Sequence, residues 1–219
     1  MPNCLNNPTF SPKGLQLIDM YRNMAEHGYE TRSGRKIDVA YNDFELVKFR
    51  HIVKTQFDKS KIKTVLDYGC GGSDWDEMPI FDGVSAREHF KLKQVKRYEP
   101  ARNLDERCMS DAVVCFDVLE HIFVSDVPAV LRDILSHAKK LAVINVACYE
   151  ASALLPNGEN AHVTVRHPFW WKGMLDALCP EFPHVTTFLI CSTAYNKAET
   201  FPIFSDKKRQ SDQKFVVGY

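Results

Sequence analysis

The stretch Lys63–Gly72, KTVLDYGCGG, joins a run of apolar residues directly to three glycines within four positions. The apolar, β-branched part predicts a buried strand over residues 63–68, and the glycines predict a tight turn immediately after it. Glycine also lets a ligand approach backbone N–H groups without a Cβ in the way. The stretch therefore predicts a strand that ends at a potential ligand-binding loop.

Further apolar segments on both sides of this strand alternate with helical patterns. The sequence predicts helices at residues 14–28, 42–57, from Ser125 onward and at 169–178, and strands at 94–99, 111–116, 141–146, 185–191 and 214–219. Apolar strands separated by helices are typical of a parallel sheet covered on both faces. No helix-length segment separates the last two strands, so we expect the last one to run antiparallel.

The length of 219 residues, without an internal repeat or a linker, predicts a single domain over 1–219. Within it we expect residues 1–60 to form a helical cap and 61–219 to form the α/β core. Tyr21, Tyr41 and Phe44 are the cap residues expected to close the site, as caps often do. Simple packing at the edge of the sheet is the alternative for each of them.

The charge balance narrows the classes of partner. The chain has 28 basic and 28 acidic residues, with 11 against 7 in residues 1–66, 10 against 14 in 67–145, and 7 against 7 in 146–219. A net charge of zero argues against a protein that coats nucleic acid or an anionic membrane. The acidic middle section contains the sequence motifs.

The remaining compositional features predict a cytoplasmic protein with no membrane partner. The chain lacks a charged leader followed by an apolar run, and its apolar runs are too short to cross a bilayer. Its seven cysteines are an odd number without a CxxC pair, which indicates reduced core thiols.

Ionisable residues mark two further strand ends. Ligands of open α/β sheets bind at the carboxyl ends of the strands. Glu99 ends the second predicted strand, where a carboxylate can hold a ribose diol, although a solvated acid is equally compatible with this position. The sequence FDVLEH at 116–121 places three ionisable groups after the next strand.

Taken together, VLDYGCG, the acid after the second strand and VVCFDVLEHI resemble the nucleotide-binding core of class I S-adenosylmethionine-dependent methyltransferases. The resemblance is close over Val65–Val146. YNDFE, GCGGSDW, YEPA and LLPNGENAHVTVRHPFWW also resemble a subgroup of small, mostly uncharacterised methyltransferases of bacteria and phages. The resemblance implies a Rossmann-like three-layer sandwich and S-adenosylmethionine as the cofactor.

The same resemblance implies a set of cofactor-binding residues. They are Asp67, Gly69, Cys70, Gly71, Glu99, Phe116 and Asp117. The first four would shape the loop around the methionine part, and Glu99 would accept hydrogen bonds from the ribose hydroxyls. The Phe116 backbone and the Asp117 side chain would lie beside the methionyl amine or the sulfonium.

The sequence departs from the family pattern at two places. Ser73 stands where the family has a third loop glycine. Only twelve positions separate Glu99 from Asp111, which is too few for a further strand and helix. The acid that holds the adenine therefore has no clear counterpart, and Asp105 and Glu106 are the nearest carboxylates.

Histidines are the expected catalytic residues, because a general base is needed when the acceptor must lose a proton near neutral pH. His121 follows the third strand end and His162 follows the next strand, so both are predicted at the rim of the site. A structural role is the alternative for His121. Glu120, His121 and His162 lack close ligand spacing, so no metal site is predicted, although a metal bound to these three is an open alternative.

The segment that follows His162 contains four residues whose roles the sequence leaves open. Arg166 and His167 are suited to an anionic acceptor or to solvent, while Trp170 and Trp171 are suited to packing a helix on the sheet or to lining an acceptor pocket.

The predicted function is methyl transfer from S-adenosylmethionine to an O or N atom of a small molecule, such as a sugar or another metabolite. Methylation of a macromolecule, either a nucleobase or a protein side chain, is the enzymatic alternative. A non-catalytic methyltransferase-like fold that acts as a binding or scaffold protein is the third possibility, and Ser73 together with the short segment after Glu99 leaves it open.

Overall fold

The computed structural model describes residues 8–38, 44–77, 79–81, 83–203 and 215–218. The helices are α1 (Pro12–His27), α2 (Phe44–Ser60), α3 (Ala86–His89), α4 (Val127–His137) and α5 (Pro168–Leu178). The strands are β1 (Tyr29–Glu30), β2 (Lys36–Ile37), β3 (Thr64–Tyr68), β4 (Pro79–Phe81), β5 (Val84–Ser85), β6 (Gln94–Glu99), β7 (Leu104–Asp105), β8 (Ser110–Phe116), β9 (Ala138–Ala147), β10 (Thr186–Ala194), β11 (Lys197–Ile203) and β12 (Phe215–Gly218).

Eight of these strands form one sheet in the order β12-β11-β10-β9-β8-β3-β6-β7. Strands β10, β9, β8, β3 and β6 are parallel to their neighbours in this series. The edge strand β7 and the C-terminal strands β11 and β12 are antiparallel to the strands that they adjoin. The prediction of a mostly parallel sheet with antiparallel C-terminal structure is confirmed.

The sheet is buried on both faces, which gives three layers. On one face α4 and α5 pack against it through side chains such as Leu131, Ile134 and Trp171. On the other face α2 and α3 pack through a second cluster that includes Phe49 and Phe57. The α/β prediction is confirmed, and the layering is compatible with a Rossmann-like sandwich.

The predicted long elements all have a counterpart in the described residues. The helix predicted from residue 14 begins at Pro12, because Ser11 caps it with its hydroxyl 3.1 Å from the Gly14 amide. The predicted cap of α2 at Asn42 or Asp43 lies outside the described residues.

Strand β11 was not predicted, and it changes the pairing at the C-terminal end of the sheet. It forms a hairpin with β10, so the last strand β12 pairs with β11 and not with β10. Proline within KAETFPI weakens the strand pattern, but Pro202 lies beyond the part of β11 that pairs with β12. Proline is tolerated where a strand is not required to donate its N–H to a neighbour, because it has no N–H to donate.

The two helices of region 1–60 have different positions. Helix α1 lies over the carboxyl ends of the strands, where Ser11 donates from its amide and hydroxyl to the Asp126 carboxylate at 3.1 and 2.8 Å. Helix α2 packs on a sheet face instead. Among the described residues, none of the helices combines the length and the apolarity that crossing a bilayer requires.

Candidate functional site

A cavity of about 490 Å³ lies at the carboxyl ends of β3, β6 and β8, below α1. The glycine loop after β3, Glu99, Phe116 and Asp117 line one part of it, and His121 and His162 line another. Ligand sites of this size are common in proteins. The cavity brings all nine predicted cofactor-binding and catalytic residues to one place.

The glycine loop has a backbone that other residues cannot adopt without strain. Gly69 has φ of +81°, and a Cβ at this position would lie 2.3 Å from Cγ2 of Val118. The amides of Gly69 and Cys70 both donate to the Tyr98 carbonyl, at 2.7 and 3.1 Å. The loop is therefore held against the end of β6 by its own backbone.

Asp67 fixes the far end of this loop. The indole N–H of Trp75 donates to Oδ2 of Asp67 at 2.8 Å, and both side chains are buried. Between them, Ser73 is buried at the position of the expected third glycine, and its hydroxyl has no partner among the described residues. Asp67 thus shapes the loop by binding a residue of the loop itself.

Glu99 connects β6 to the glycine loop. Its Oε2 accepts from the Gly71 amide at 3.0 Å, and its Oε1 accepts from the Ala101 amide at 2.9 Å. Burial raises the pKa of Glu99, and these two amides oppose the rise. A carboxylate has about four acceptor positions, so Glu99 keeps two for a ligand in the cavity.

The segment after Glu99 is shorter than a strand and helix, as its length predicts. It contains a 3-10 turn at Pro100–Arg102 and the short strand β7. Asp105 binds Arg107, Glu106 accepts from the Arg97 amide at 3.0 Å, and neither carboxylate is among the described residues that line the cavity. Pro100, Ala101 and Arg102 form this part of the wall.

Asp117 has an unusual backbone for a residue with a side chain. It follows β8 directly, is exposed to the cavity and has φ of +57°. Left-handed backbone costs about 1 kcal/mol or more outside glycine, although aspartate tolerates it better than most residues. The strained turn directs the chain from the strand end into the 3-10 turn Leu119–His121.

The two predicted catalytic histidines contact each other. Their ring centroids are 4.9 Å apart, with the rings nearly perpendicular. Nδ1 of His121 lies 2.9 Å from the carbonyl oxygen of Ala161 and 3.0 Å from the Tyr21 hydroxyl. Nδ1 of His162 lies 2.5 Å from the carbonyl oxygen of Tyr149.

These contacts decide the tautomer of both rings. A carbonyl oxygen only accepts hydrogen bonds, so Nδ1 must carry the proton in each histidine. In the neutral rings Nε2 then carries the lone pair. Burial and the neighbouring His162 lower the pKa of His121 to about 4, and Asp117 opposes this effect. His121 is therefore neutral at pH 7.

Glu120 does not join the histidines. Its carboxyl is fully buried, Oε1 accepts from the Ala147 amide, and Oε2 has no partner among the described residues. Burial and the charge of Asp117 raise its pKa well above the ordinary value. The carboxylate next to the histidines is Asp117: one potential ligand atom each of Asp117, His121 and His162 lies within 4.8 Å of the others.

Sequence reasoning missed Glu45 and Tyr149, which also line the cavity. Burial and the charges of Glu45 and Asp117 raise the pKa of Tyr149. The carboxyl of Glu45 is bound by Lys48 at 3.3 Å, yet burial still raises its pKa. Tyr149 follows β9 closely, so the rule that ligands bind at strand ends was the available signal.

The four residues considered as possible acceptor-binding residues are not among the described residues that line the cavity. His167 caps α5, accepting from the Phe169 amide at 3.3 Å, and the Arg166 guanidinium lies 5.8 Å from the centre of the Trp170 ring. Trp171 is buried in the core and Trp170 packs against that core. Both tryptophans therefore pack helix α5 on the sheet and do not line the cavity formed by the described residues. Tyr41 lies outside the described residues, whereas Tyr21 lines the cavity.

Comparison with protein-family models and with curated proteins gives no match. Any function assigned to the chain therefore depends on the cavity itself.

Proposed function

We propose that this protein transfers a methyl group from S-adenosylmethionine to an oxygen or nitrogen atom of a small molecule. One observation carries the proposal. A single cavity holds a glycine loop and the Glu99 carboxylate at adjacent parallel strand ends, and the pair of His121 and His162 beyond them. In the Rossmann-like interpretation of the fold, nucleotides bind at these strand ends.

The residues at the strand ends fit this cofactor. Gly69 and Gly71 line the cavity without a side chain and with positive φ, and Glu99 keeps acceptor positions for the two ribose hydroxyls. Asp67 stabilises the loop through its hydrogen bond with Trp75, and Asp117 would lie beside the positive charges of the cofactor. When bound, S-adenosylmethionine supplies a methyl group that its sulfonium already activates.

The electrostatics of the wall support the same ligand. The cavity is lined by five carboxyl residues against one arginine, Arg102, and Lys48 is paired with one of the five; the carboxyl residues are Glu45, Asp67, Glu99, Asp117 and Glu150. An amine and a sulfonium are both cationic, and both are favoured by a negative potential.

The histidine pair would act on the acceptor. Nε2 of each ring has a lone pair that can take a proton or bind a ligand, whereas Nδ1 is held by a carbonyl oxygen. Helix α1 covers this part and contributes Tyr21, so it would exclude water and limit the size of the acceptor. Most of the rate enhancement would come from holding acceptor and methyl group in line.

Calorimetry with S-adenosylmethionine and with its demethylated product tests the proposal. We expect binding that Glu99→Ala weakens, and that Glu181→Ala leaves unchanged because Glu181 pairs with Arg132 at the surface. No heat of binding at high micromolar cofactor would reject methyl transfer and favour the scaffold alternative.

A second assay separates the acceptor classes. The protein is incubated with methyl-labelled S-adenosylmethionine and cell extract, and the extract is then divided into metabolite, nucleic-acid and protein fractions. We expect label in the metabolite fraction. Label in either macromolecular fraction would replace the small-molecule proposal with its enzymatic alternative.

A further inference from the structure

Three side chains from separate parts of the chain converge on one side of the cavity. Asp117 follows β8, His121 ends a 3-10 turn, and His162 lies in the long connection between β9 and α5. One potential ligand atom from each lies within 4.8 Å of the other two. We propose that Asp117, His121 and His162 bind one divalent transition-metal ion.

The hydrogen bonds of the histidines support a metal site. Protein histidines that bind a metal almost always donate their other N–H to a carbonyl, carboxylate or water, which fixes the ring. Here both rings donate from Nδ1 to backbone carbonyl oxygens, those of Ala161 and Tyr149. No hydrogen bond to Nε2 of either ring occurs among the described residues. Neither Nε2 atom is therefore engaged by a described residue, and the proposal assigns these two atoms as the ligands.

The distances are compatible with closure around an ion. Ligand atoms about 2.1 Å from a tetrahedral metal lie about 3.4 Å from one another. The three ligand atoms are up to 4.8 Å apart here, so the most distant pair must approach by roughly 1.4 Å to reach that spacing. Asp117 is the side chain that can move, because it is exposed, whereas carbonyl groups hold both rings.

The donor set indicates the class of metal. Two imidazoles and one carboxylate suit Zn²⁺, Fe²⁺ and Co²⁺, whereas Mg²⁺ and Ca²⁺ prefer oxygen ligands alone.

The coordination positions that the protein leaves open on the metal would determine the chemical class of the acceptor. Three protein ligands are typical of sites that keep a position for water or substrate, and this one faces the cavity. If the proposed methyl transfer holds, an oxygen donor of the acceptor, such as a hydroxyl or carboxylate, would bind there. The acceptor would then be an oxygen-rich metabolite that a metal can hold, and the histidines would be ligands and not bases.

Titration of the metal-free full chain with Co²⁺ tests the site, because bound Co²⁺ absorbs visible light. We expect one ion per chain. His121→Ala, His162→Ala and Asp117→Ala should each weaken binding at least tenfold, and the exposed His184→Ala should bind like the unmodified protein. Absence of a visible band, or equal affinity in all four variants, would overturn the proposal.

A measurement on the unmodified protein tests the site even if the variants fail to fold. X-ray absorption of the Zn²⁺-loaded chain should show two imidazole nitrogens at about 2.0–2.1 Å. A shell of oxygen alone, or one that contains sulfur, would place the ion elsewhere and reject the site. Tyr21→Phe, which removes a hydroxyl 3.0 Å from Nδ1 of His121, should weaken Co²⁺ binding by up to about tenfold.

The metal proposal and the proposed function can fail separately. Glu99→Ala should weaken S-adenosylmethionine binding and leave the Co²⁺ titration unchanged, since Glu99 contacts Gly71 and Ala101 and not the three ligands. Co²⁺ binding without cofactor binding would support the metal site and reject methyl transfer. Cofactor binding without Co²⁺ binding would overturn the metal site alone.

Discussion

The two halves of the cavity are built in different ways. The cofactor half, which is the part proposed to hold S-adenosylmethionine, uses contacts within one loop and between adjacent strand ends: Trp75 binds Asp67 eight residues away, and Gly71 binds Glu99 at the end of the neighbouring strand. The histidine half uses long-range contacts: Tyr21 of α1 meets His121, and His121 meets His162 of a distant loop.

This difference determines which contacts each half depends on. The cofactor half is fixed by backbone hydrogen bonds at the end of a buried sheet, so its shape depends on the fold as a whole. The histidine half depends on α1 and on the loop after β9 staying in place. Changes in the first half should therefore affect stability or cofactor binding, and changes in the second should affect turnover.

The largest expected effect is on turnover. We expect His162→Ala to lower methyl transfer by about 100-fold or more, because the Nε2 lone pair acts on the acceptor as base or as ligand. Cofactor affinity should change little. Label incorporation and calorimetry on the same preparation measure the two effects, with His184→Ala as control. Equal losses in both would show that His162 is structural and that the two halves are not separate.

The next effect is on stability. Gly69→Ala introduces a Cβ 2.3 Å from Val118 at φ of +81°, so it should lower the free energy of unfolding by about 3 kcal/mol. Urea denaturation measures this. Gly158→Ala is a matched control, because Gly158 also has positive φ but open space around it, and it should lose about 1 kcal/mol. A similar loss in both variants would contradict the close packing of the loop on Val118.

The third effect depends on pH. The pKa of His121 is lowered to about 4, below its ordinary value of 6.5, so the unfolded chain binds the proton more readily between these values. The neutral, buried His121 therefore contributes fully to the free energy of unfolding above about pH 6.5, and this contribution is lost as the pH falls towards 4. It amounts to at most about 3 kcal/mol.

Urea denaturation in a chelator at several pH values measures it, and His121→Gln serves as the reference because other titrations cancel in the difference. The unmodified protein should lose more stability than the variant over this range. Parallel curves would show that His121 titrates normally and that α1 does not bury it.

The smallest effect is on cofactor affinity. Glu99→Ala and Asp67→Ala should each weaken S-adenosylmethionine binding by roughly 10-fold to 100-fold, because each removes hydrogen bonds made by a charged group. Calorimetry measures the affinity. Affinity that is unchanged in both variants would mean that the cofactor half is misassigned.

The sequence predicted that residues of both halves line one site, but it did not predict which side chains of the histidine half contact each other, and the reason is physical. Strand β3 with its loop is a local pattern, in which apolar residues and glycines follow one another. The meeting of Asp117 with His162 depends on the path of the loop after β9, which no periodicity records. Sequence spacing therefore favoured Glu120 as the acidic neighbour of the histidines, although the amide of Ala147 holds that carboxyl in the interior.

Secondary structure shows the same limit. The long apolar strands and the helix Val127–His137 were predictable because burial imposes their patterns. Short elements such as β7 and the hairpin of β1 and β2 were not, since two-residue strands carry no pattern. Strand β11 was missed because KAETFPI contains a proline and its buried residues do not alternate regularly.

The hydrogen bond between Trp75 and Asp67 gives the protein an internal optical reporter. Of the three tryptophans, only Trp75 lines the cavity among the described residues, while Trp170 and Trp171 pack with the core around α5. Its indole N–H is bound to a carboxylate at the strand end, so a ligand that alters this carboxylate changes the emission of Trp75. Fluorescence of a Trp170→Phe, Trp171→Phe chain would therefore follow occupancy of the cavity directly, before any acceptor is known.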